Sequence, residues 1–422
     1  MNKDADTLVL LTHHFPYPPG EEFLETEIKY LAEHFYEIVI IPIGCFGKVK
    51  TEPRKLPANA KLHTIPNFTH KLWKLKRFLG LLRICFDPQS IKWIFSDIKA
   101  AILADGKGFR VLLSWVLSAF EIRNYLLKHV MDKEKSILLY SYWFNPSAIS
   151  LAMLKEKVPS LVAVARAHGG DLYSCRKVPP YIPLQLKAIK RLDRLYLVSS
   201  DGYRYLKDKD AQLNNLAISR LGVLGSKKKA GQSNDGVLRI ITCSDIGRIK
   251  RLELLIAALS YCKINIEWTH IGDGVLRNEL LESAKGLPGN ISYRFLGRMP
   301  NIQVIQYYHE NPIDLFMNVS VSEGVPVSIM EAFSFGVPVI GTDVGGTGEL
   351  VNGSNGLLVK KDITAIELAG YIENFYRLEA SFKNNLRENA YKTWYELSNA
   401  NRNYKRFSRQ LGNELKNGVN CH

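Results

Sequence analysis

Short apolar runs alternate with amphipathic stretches along most of the chain. In the first half, runs at 7–12 (TLVLLT), 37–43, 136–143, 161–168 and 194–200 have strand length and few polar positions. Such runs fit strands buried on both faces. Between them, 24–35 (LETEIKYLAEHF) and 146–157 place apolar residues at helical spacing. Residues 221–239 (LGVLGSKKKAGQSNDGVLR) break the pattern with Gly, Ser and Lys and read as a linker. The alternation then resumes, with strands at 238–244, 264–274, 291–297, 313–320, 338–344 and 355–359 and helices at 251–262 and 275–285. A polar helical stretch, 366–415, closes the chain. Strand–helix alternation predicts parallel sheets covered on both sides, and 422 residues exceed one ordinary domain. The expected fold is α/β with two Rossmann-like, doubly wound domains. Their expected limits are 1–222 and 238–390, joined by a linker at 223–237, with a C-terminal helix in 391–422 packing back on the first domain.

Charge adds a second layer. The chain carries a net +15, and the surplus is uneven: the first 210 residues hold 32 Lys/Arg against 21 Asp/Glu, the remainder 24 against 20. A basic first half suggests an anionic partner: nucleic acid, a phosphorylated substrate or acidic lipid. No RNP, KH or zinc signature supports nucleic acid, so none is expected as a partner. Residues 71–98 set Leu72, Leu75, Phe78, Leu79 and Leu82 at helical spacing, with Lys71, Lys74, Lys76, Arg77 and Arg83 between them. That pattern fits first a core-facing helix with a solvated basic face, and second a helix lying in an anionic membrane interface. Six scattered cysteines form no CxxC pair and read as reduced thiols, mostly core fillers, with no metal site. The N-terminus lacks a signal-peptide pattern and no run reaches the roughly 18 apolar residues of a membrane span. The expected location is the cytoplasm, with a peripheral place at the inner membrane face as an extension of the membrane reading. HHFPYPPG follows the first strand where a dinucleotide oxidoreductase would carry GxGxxG.

The candidate chemistry lies in 322–351, SEGVPVSIMEAFSFGVPVIGTDVGGTGELV. Pro326 suits the first position of a helix running to about Phe335, with Gly336 as its stop. Glu323 would sit in the loop before that helix. Glu331 would share the face of Val327, leaning toward the N-terminus. A helix N-terminus at the C-terminal edge of a parallel strand suits a phosphate. Carboxylates flanking it suit hydroxyls on either side, a sugar at one end and a ribose at the other. That describes a nucleoside diphosphate sugar. Taken singly, Glu323 reads as well as a helix-capping acid, and Glu331 as a solvated helix position.

Two glutamates at this spacing, with EGxP opening and EAxxxGxPVI following, resemble the E-x7-E motif of family 4 retaining glycosyltransferases of GT-B fold. TCSDIGRIKRLELLIAAL resembles that family's donor-phosphate segment. HIGDGVLRNEL, which holds Gly272 and Asp273, and FLGRMPN resemble its nucleotide-pocket segments, and RAHGGDLY its HGxD element. The resemblance implies two domains facing a central cleft, the first binding the acceptor and the second the nucleotide sugar. It implies that Glu323 bonds donor sugar hydroxyls, with the amides of Gly324, Val325 and Val327 nearby. Glu331 would hold the ribose, Lys250 would neutralise the diphosphate, and His168 would reach the donor sugar across the cleft. Arg298 would sit beside the base through its backbone. By its position, Asp171 suits orienting His168 or capping a helix as well as touching substrate.

The chain departs from the family pattern in places. Asp245 stands where an arginine is frequent, so that charge falls to Arg248, or to Lys250 acting with Arg251. Val325-Pro326 replaces a common Phe-Gly, and Gly348 a common Pro. The glycine loop after the first strand is reduced to PPGEEF, which weakens a role for Gly20 against the diphosphate. The implied activity is retaining transfer of a sugar from a UDP- or GDP-sugar to a hydroxyl of a glycan or lipid-linked acceptor. It would need no metal and no cofactor, and would serve surface polysaccharide synthesis. A nucleotide-sugar epimerase of similar shape, or a non-catalytic sugar-binding relative, are the alternatives.

Overall fold

A computed structural model describes residues 6–18, 20–44, 51–65, 73–130 and 136–420, without the side chains of 73–78 and 419–420. Two compact units emerge. One comprises 1–219 together with 404–422, the other 220–403.

The first unit is built on seven parallel strands: β1 (Asp6–Thr12), β2 (Glu37–Pro42), β3 (Ala60–Leu62), β4 (Ser136–Ser141), β5 (Val162–Ala167), β6 (Arg194–Leu197) and β7 (Leu216–Ile218). Their order is β3-β2-β1-β4-β5-β6-β7, so the strand order reverses between β1 and β4. Alternate residues of each strand feed opposite cores. Val9 and Leu11 pack with residues of helices Pro88–Leu103, Gly108–His129 and Pro146–Lys157. Leu8 and Leu10 pack with Leu24, Ile28 and Leu31 of helix Leu24–His34 and with Phe407, Leu411 and Leu415 of helix Ala400–Asn420. The latter core encloses an ion pair, Arg166 to Glu27 at 2.6 Å, with both side chains fully buried. The Arg166 guanidinium also lies 3.9 Å over the Phe407 ring.

The second unit carries six parallel strands: β8 (Leu238–Cys243), β9 (Ile266–Ile271), β10 (Ile291–Phe295), β11 (Leu315–Asn318), β12 (Val339–Thr342) and β13 (Gly356–Val359). Their order, β10-β9-β8-β11-β12-β13, again reverses at the middle, between β8 and β11. In such sheets ligands bind beyond the C-terminal ends of the two strands at that reversal. The segments there are 244–251 and 319–326.

Residues 223–237, the expected linker, lie inside the second unit. Val223 bridges to Asn399, Gly231 to Pro312, and the Ala230 amide donates to Phe335 O at 3.0 Å. Backbone bonding of this kind leaves no trace in composition. Helix 73–84 also turns differently from the core-facing expectation. Ile84 is buried and Gly80 is set close against Leu117, whereas Leu79 and Leu82 are 46% and 52% exposed. A glycine face lets this helix approach helix 108–129 closely, and that decides its rotation. Lys71 and Leu72 lie outside the described residues, as do the side chains of Lys74, Leu75, Lys76, Arg77 and Phe78. The cysteines are less internal than expected: Cys262 is buried, but Cys85 and Cys175 are exposed, and Cys45 and Cys421 lie outside the described residues.

Candidate functional site

At the reversal point of the second sheet, Lys250 and Glu323 meet. Lys250 ends a short 3-10 turn, 248–250, just beyond β8. Glu323 follows β11 by five residues. Its carboxylate is 8% exposed, and its Oε1 accepts from Lys250 Nζ at 2.7 Å and from Asn318 Nδ2 at 3.3 Å. The two loops are tied together by the Val321 amide donating to Ile249 O. A buried carboxylate requires such partners, and here the cation supplies the main one.

Helix Val327–Ser334 begins at this point, with Pro326 as its N-cap rather than its first helical residue. Gly336, at φ +66°, ends it as the sequence suggests. Among the described residues, the amides of Gly324, Val325 and Val327 have no acceptor. These free N–H groups, with the helix dipole behind them, favour an anion. The loop's shape is enforced from outside. Gly346 N donates to Gly324 O at 2.6 Å, and a Cβ on Gly345 would stand 1.9 Å from Glu323 O. The two glycines of TDVGGTGE therefore let one loop press against the other.

Glu331 sits one turn into the helix, on the face of Val327. Asn301 Nδ2 donates to its Oε1 at 2.6 Å. Burial pushes the Glu331 carboxyl up to about 7, only partly offset by that amide. Burial also raises the neighbouring Cys243 thiol and Tyr308 phenol well above their usual values, each helped by the negative charge of Glu331.

The nucleotide-pocket segments interlock around glycines. Gly272, at φ +142°, bridges to Gly297, and a Cβ there would lie 1.8 Å from Ser244 O. Asp273 O accepts the Ile246 amide, while its side chain caps Gly274 N at 2.8 Å. His270, beside them, is pulled down to about 4 by burial and bonds Thr242 through Nδ1. It is thus a neutral internal brace.

The Arg298 side chain is engaged, which leaves its backbone for the role beside the base. Its guanidinium pairs with Asp245 at 2.9 Å, both side chains being exposed. Asp245, set where an arginine was expected, thereby has a cation of its own. Arg248 is exposed and has no ion pair among the described residues. Arg251 donates to the carbonyls of Val319 and Lys361, which makes it a brace between loops.

In the first unit, His168 follows β5 and is 6% exposed, with neither ring nitrogen partnered. Asp171 accepts the amides of His168 and Phe144 at 2.5 and 2.6 Å, so it caps backbone. The His168 Nδ1 lies 3.8 Å from it. Gly20 has its amide taken by Glu22 Oε1 at 2.8 Å, which argues against a phosphate there. The sequence reading passed over Asn318, Asn301, Glu21 and Trp143. For Asn318 a signal existed: a polar residue ending an otherwise apolar strand.

Residues 226–393 match the family model for glycosyl transferases group 1. The chain is a glycosyltransferase, similar over this segment to that group. It is 25% identical over 321 residues to a putative teichuronic acid biosynthesis glycosyltransferase, TuaC of Bacillus subtilis, covering 73% of this chain and 78% of that one. The O-antigen biosynthesis glycosyltransferase WbnH of Escherichia coli is 39% identical over 118 residues, 27% of this chain and 32% of its own. Among solved structures, Anabaena HepE in complex with UDP-glucose matches with a TM-score of 0.62 at 15% identity, over 96% of this chain and 99% of that one. The two Rossmann-like units of this glycosyltransferase are those of the GT-B fold.

Proposed function

We propose that this glycosyltransferase moves a sugar from a nucleoside diphosphate sugar to a hydroxyl of a glycan or lipid-linked acceptor, with retention, in the manner of family 4 enzymes. One observation carries the reading: Lys250, Glu323 and three acceptor-less amides converge at the reversal point of the second sheet. The amides of Gly324, Val325 and Val327 would hold the diphosphate. Lys250 would leave Glu323 to neutralise the charge on the departing phosphate, freeing Glu323 to accept from the donor's sugar hydroxyls. Glu331 would accept from the ribose. With Lys250 and the exposed Arg248 supplying positive charge, the step is assigned no metal. The departing phosphate would take the acceptor's proton on the face it leaves. His168 would serve the donor sugar, and Gly272 and Asp273 would shape the base pocket. UDP and GDP are the preferred bases, UDP having support from the HepE complex.

The names of TuaC and WbnH support a role in surface polysaccharide synthesis. An acceptor carried on a lipid would call for a membrane-facing surface. What supports one is a set of apolar side chains in the first unit: Leu79, Leu82 and Phe86, then Phe95, Ile102 and Leu103, all exposed. Arg83, Lys99, Lys107 and Arg110 lie exposed among them with one exposed acid, Asp105, while Asp87 and Asp97 turn inward to Arg123 and Tyr181. Apolar and basic residues together suit an anionic bilayer surface. Among the described residues no helix is long and apolar enough to cross a membrane. The protein is accordingly proposed to act at the cytoplasmic face as a peripheral protein.

The test is a thermal-shift screen with UDP-, GDP-, ADP- and CMP-sugars, followed by turnover with the best donor. Lys250→Ala should lower turnover at least 100-fold in folded protein, as loss of a key charge-stabilising group does. Absence of any donor-dependent shift, or full turnover in Lys250→Ala, would overturn the reading.

A further inference from the structure

Beyond the end of β1, four N–H groups converge on one carboxylate. Glu21 Oε1 accepts from the His13 amide at 2.9 Å and from the Trp143 indole Nε1 at 2.6 Å. Its Oε2 accepts from the amides of His14 at 2.6 Å and Phe15 at 2.5 Å. The residue is 6% exposed, and its backbone is held in the left-handed region at φ +55°. Successive amides curved around one point form an oxoanion nest. Here the occupant belongs to the chain itself.

The fourth donor matters most. Trp143 follows β4, the neighbour of β1 at the reversal point of the first sheet. Its ring lies 4.4 Å from the His168 imidazole, which Tyr142 at 4.9 Å and Phe23 at 6.3 Å also flank. No hydrogen bond fixes that imidazole, since both nitrogens lack partners. A buried, unpartnered imidazole is costly unless a ligand completes it. Its orientation therefore depends on the aromatic walls, and one wall is pinned by Glu21. The other end of the same residue leads into helix Leu24–His34, which Phe23 caps, through the Leu24 amide donating to Glu21 O.

We propose that Glu21 is a positioning residue: an internal anion that fills the nest after β1 and, through Trp143 Nε1, holds His168 with both nitrogens open to a ligand. This deepens the function proposed above and rests on His168 serving the donor sugar. The chemistry requires a carboxylate. Four donors need an acceptor-only group, and a glutamine would set its own N–H bonds against them. With the nest already filled, the donor's phosphates have no place there. Loss of Glu21 should then affect turnover more than donor affinity.

The experiment compares wild type, Glu21→Ala and Trp143→Phe, each checked for folding by circular dichroism. Glu21→Ala should lower kcat about 100-fold with donor KM little changed, the scale expected when a reacting geometry slips by about an ångström. Added acetate or formate should restore part of that loss by refilling the nest. Trp143→Phe, which keeps a ring but removes the N–H, should lower kcat roughly tenfold. A readout independent of transfer is NMR of labelled protein. In Glu21→Ala the Trp143 indole N–H signal should move and the His168 ring signals broaden, and acetate should return both. Folded Glu21→Ala with unchanged Trp143 and His168 signals would overturn the proposal. So would a loss of stability with kcat of the folded fraction intact. A protein inactive with every donor would sink the function reading alone, because the NMR arm still decides this one.

Discussion

Replacing Glu331 by glutamine tests the site through pH. Its carboxyl is lifted from the ordinary 4.5 to about 7 by burial. Between those values the folded protein holds a proton that the unfolded chain has released. The contribution of Glu331 to stability is therefore most favourable below about pH 4.5, falls as pH rises toward 7, and carries the full penalty above it. A rise of that size corresponds to about 3 kcal/mol, and partial water access to the side chain brings the expected penalty to about 2 kcal/mol. Glu331→Gln keeps a carbonyl for Asn301 and removes the charge. Urea denaturation should show the variant near wild type at pH 4.5 and about 2 kcal/mol more stable at pH 8. Donor binding should move the other way. A ribose bonded to the ionised carboxylate must expel its proton, so wild-type affinity should fall about tenfold per pH unit below 7. The variant should bind weakly without that slope. Stability curves of variant and wild type that run parallel from pH 4.5 to 8, or a flat wild-type affinity profile, would refute the reasoning.

Gly345→Ala should abolish donor binding while the fold persists, because its Cβ would meet Glu323 O at 1.9 Å and displace the loop. A donor-induced thermal shift equal to wild type would count against the loop's role. Arg166→Met should cost about 3–5 kcal/mol by leaving Glu27 buried without its cation, and adding Glu27→Leu should recover much of it; denaturant midpoints check both, and equal losses in the single and double variants would contradict this. Leu82→Asp with Phe86→Ser should weaken binding to vesicles rich in anionic lipid, as read by flotation. Unchanged flotation would remove the proposed membrane face.

The central strands were legible because both of their faces are buried, so β1, β2, β4 and β8 are nearly unbroken apolar runs. The outer strands β3 and β7, three residues each and half exposed, carry no such run. The core-facing reading of helix 73–84 missed its rotation, because nearly every side of it is apolar or basic and the turn depends on Gly80, a residue without a hydrophobic signal. At the site, the two glutamates, Lys250 and the terminating glycine were readable from spacing. Their pairing was not, because Lys250 and Glu323 lie 73 positions apart and meet only through the strand order. Arg298 shows the same limit: Asp245 looked like a missing charge, but once folded it is a partner. Glu21 hid in an acidic turn before a helix, where a carboxylate is commonplace.

Phe407, Leu411 and Leu415 cover the sheet face bearing Leu8, Leu10 and Tyr140. In chain order they come after the whole of 220–403. A ribosome making this protein therefore releases 219 residues whose greasy flank stays uncovered until translation has passed position 415. The half that is made first is finished last. Shielding by a chaperone, or a pause that shortens the wait, would decide the yield of nascent chains, and truncation before Tyr404 should send the first half to aggregates while sparing the second.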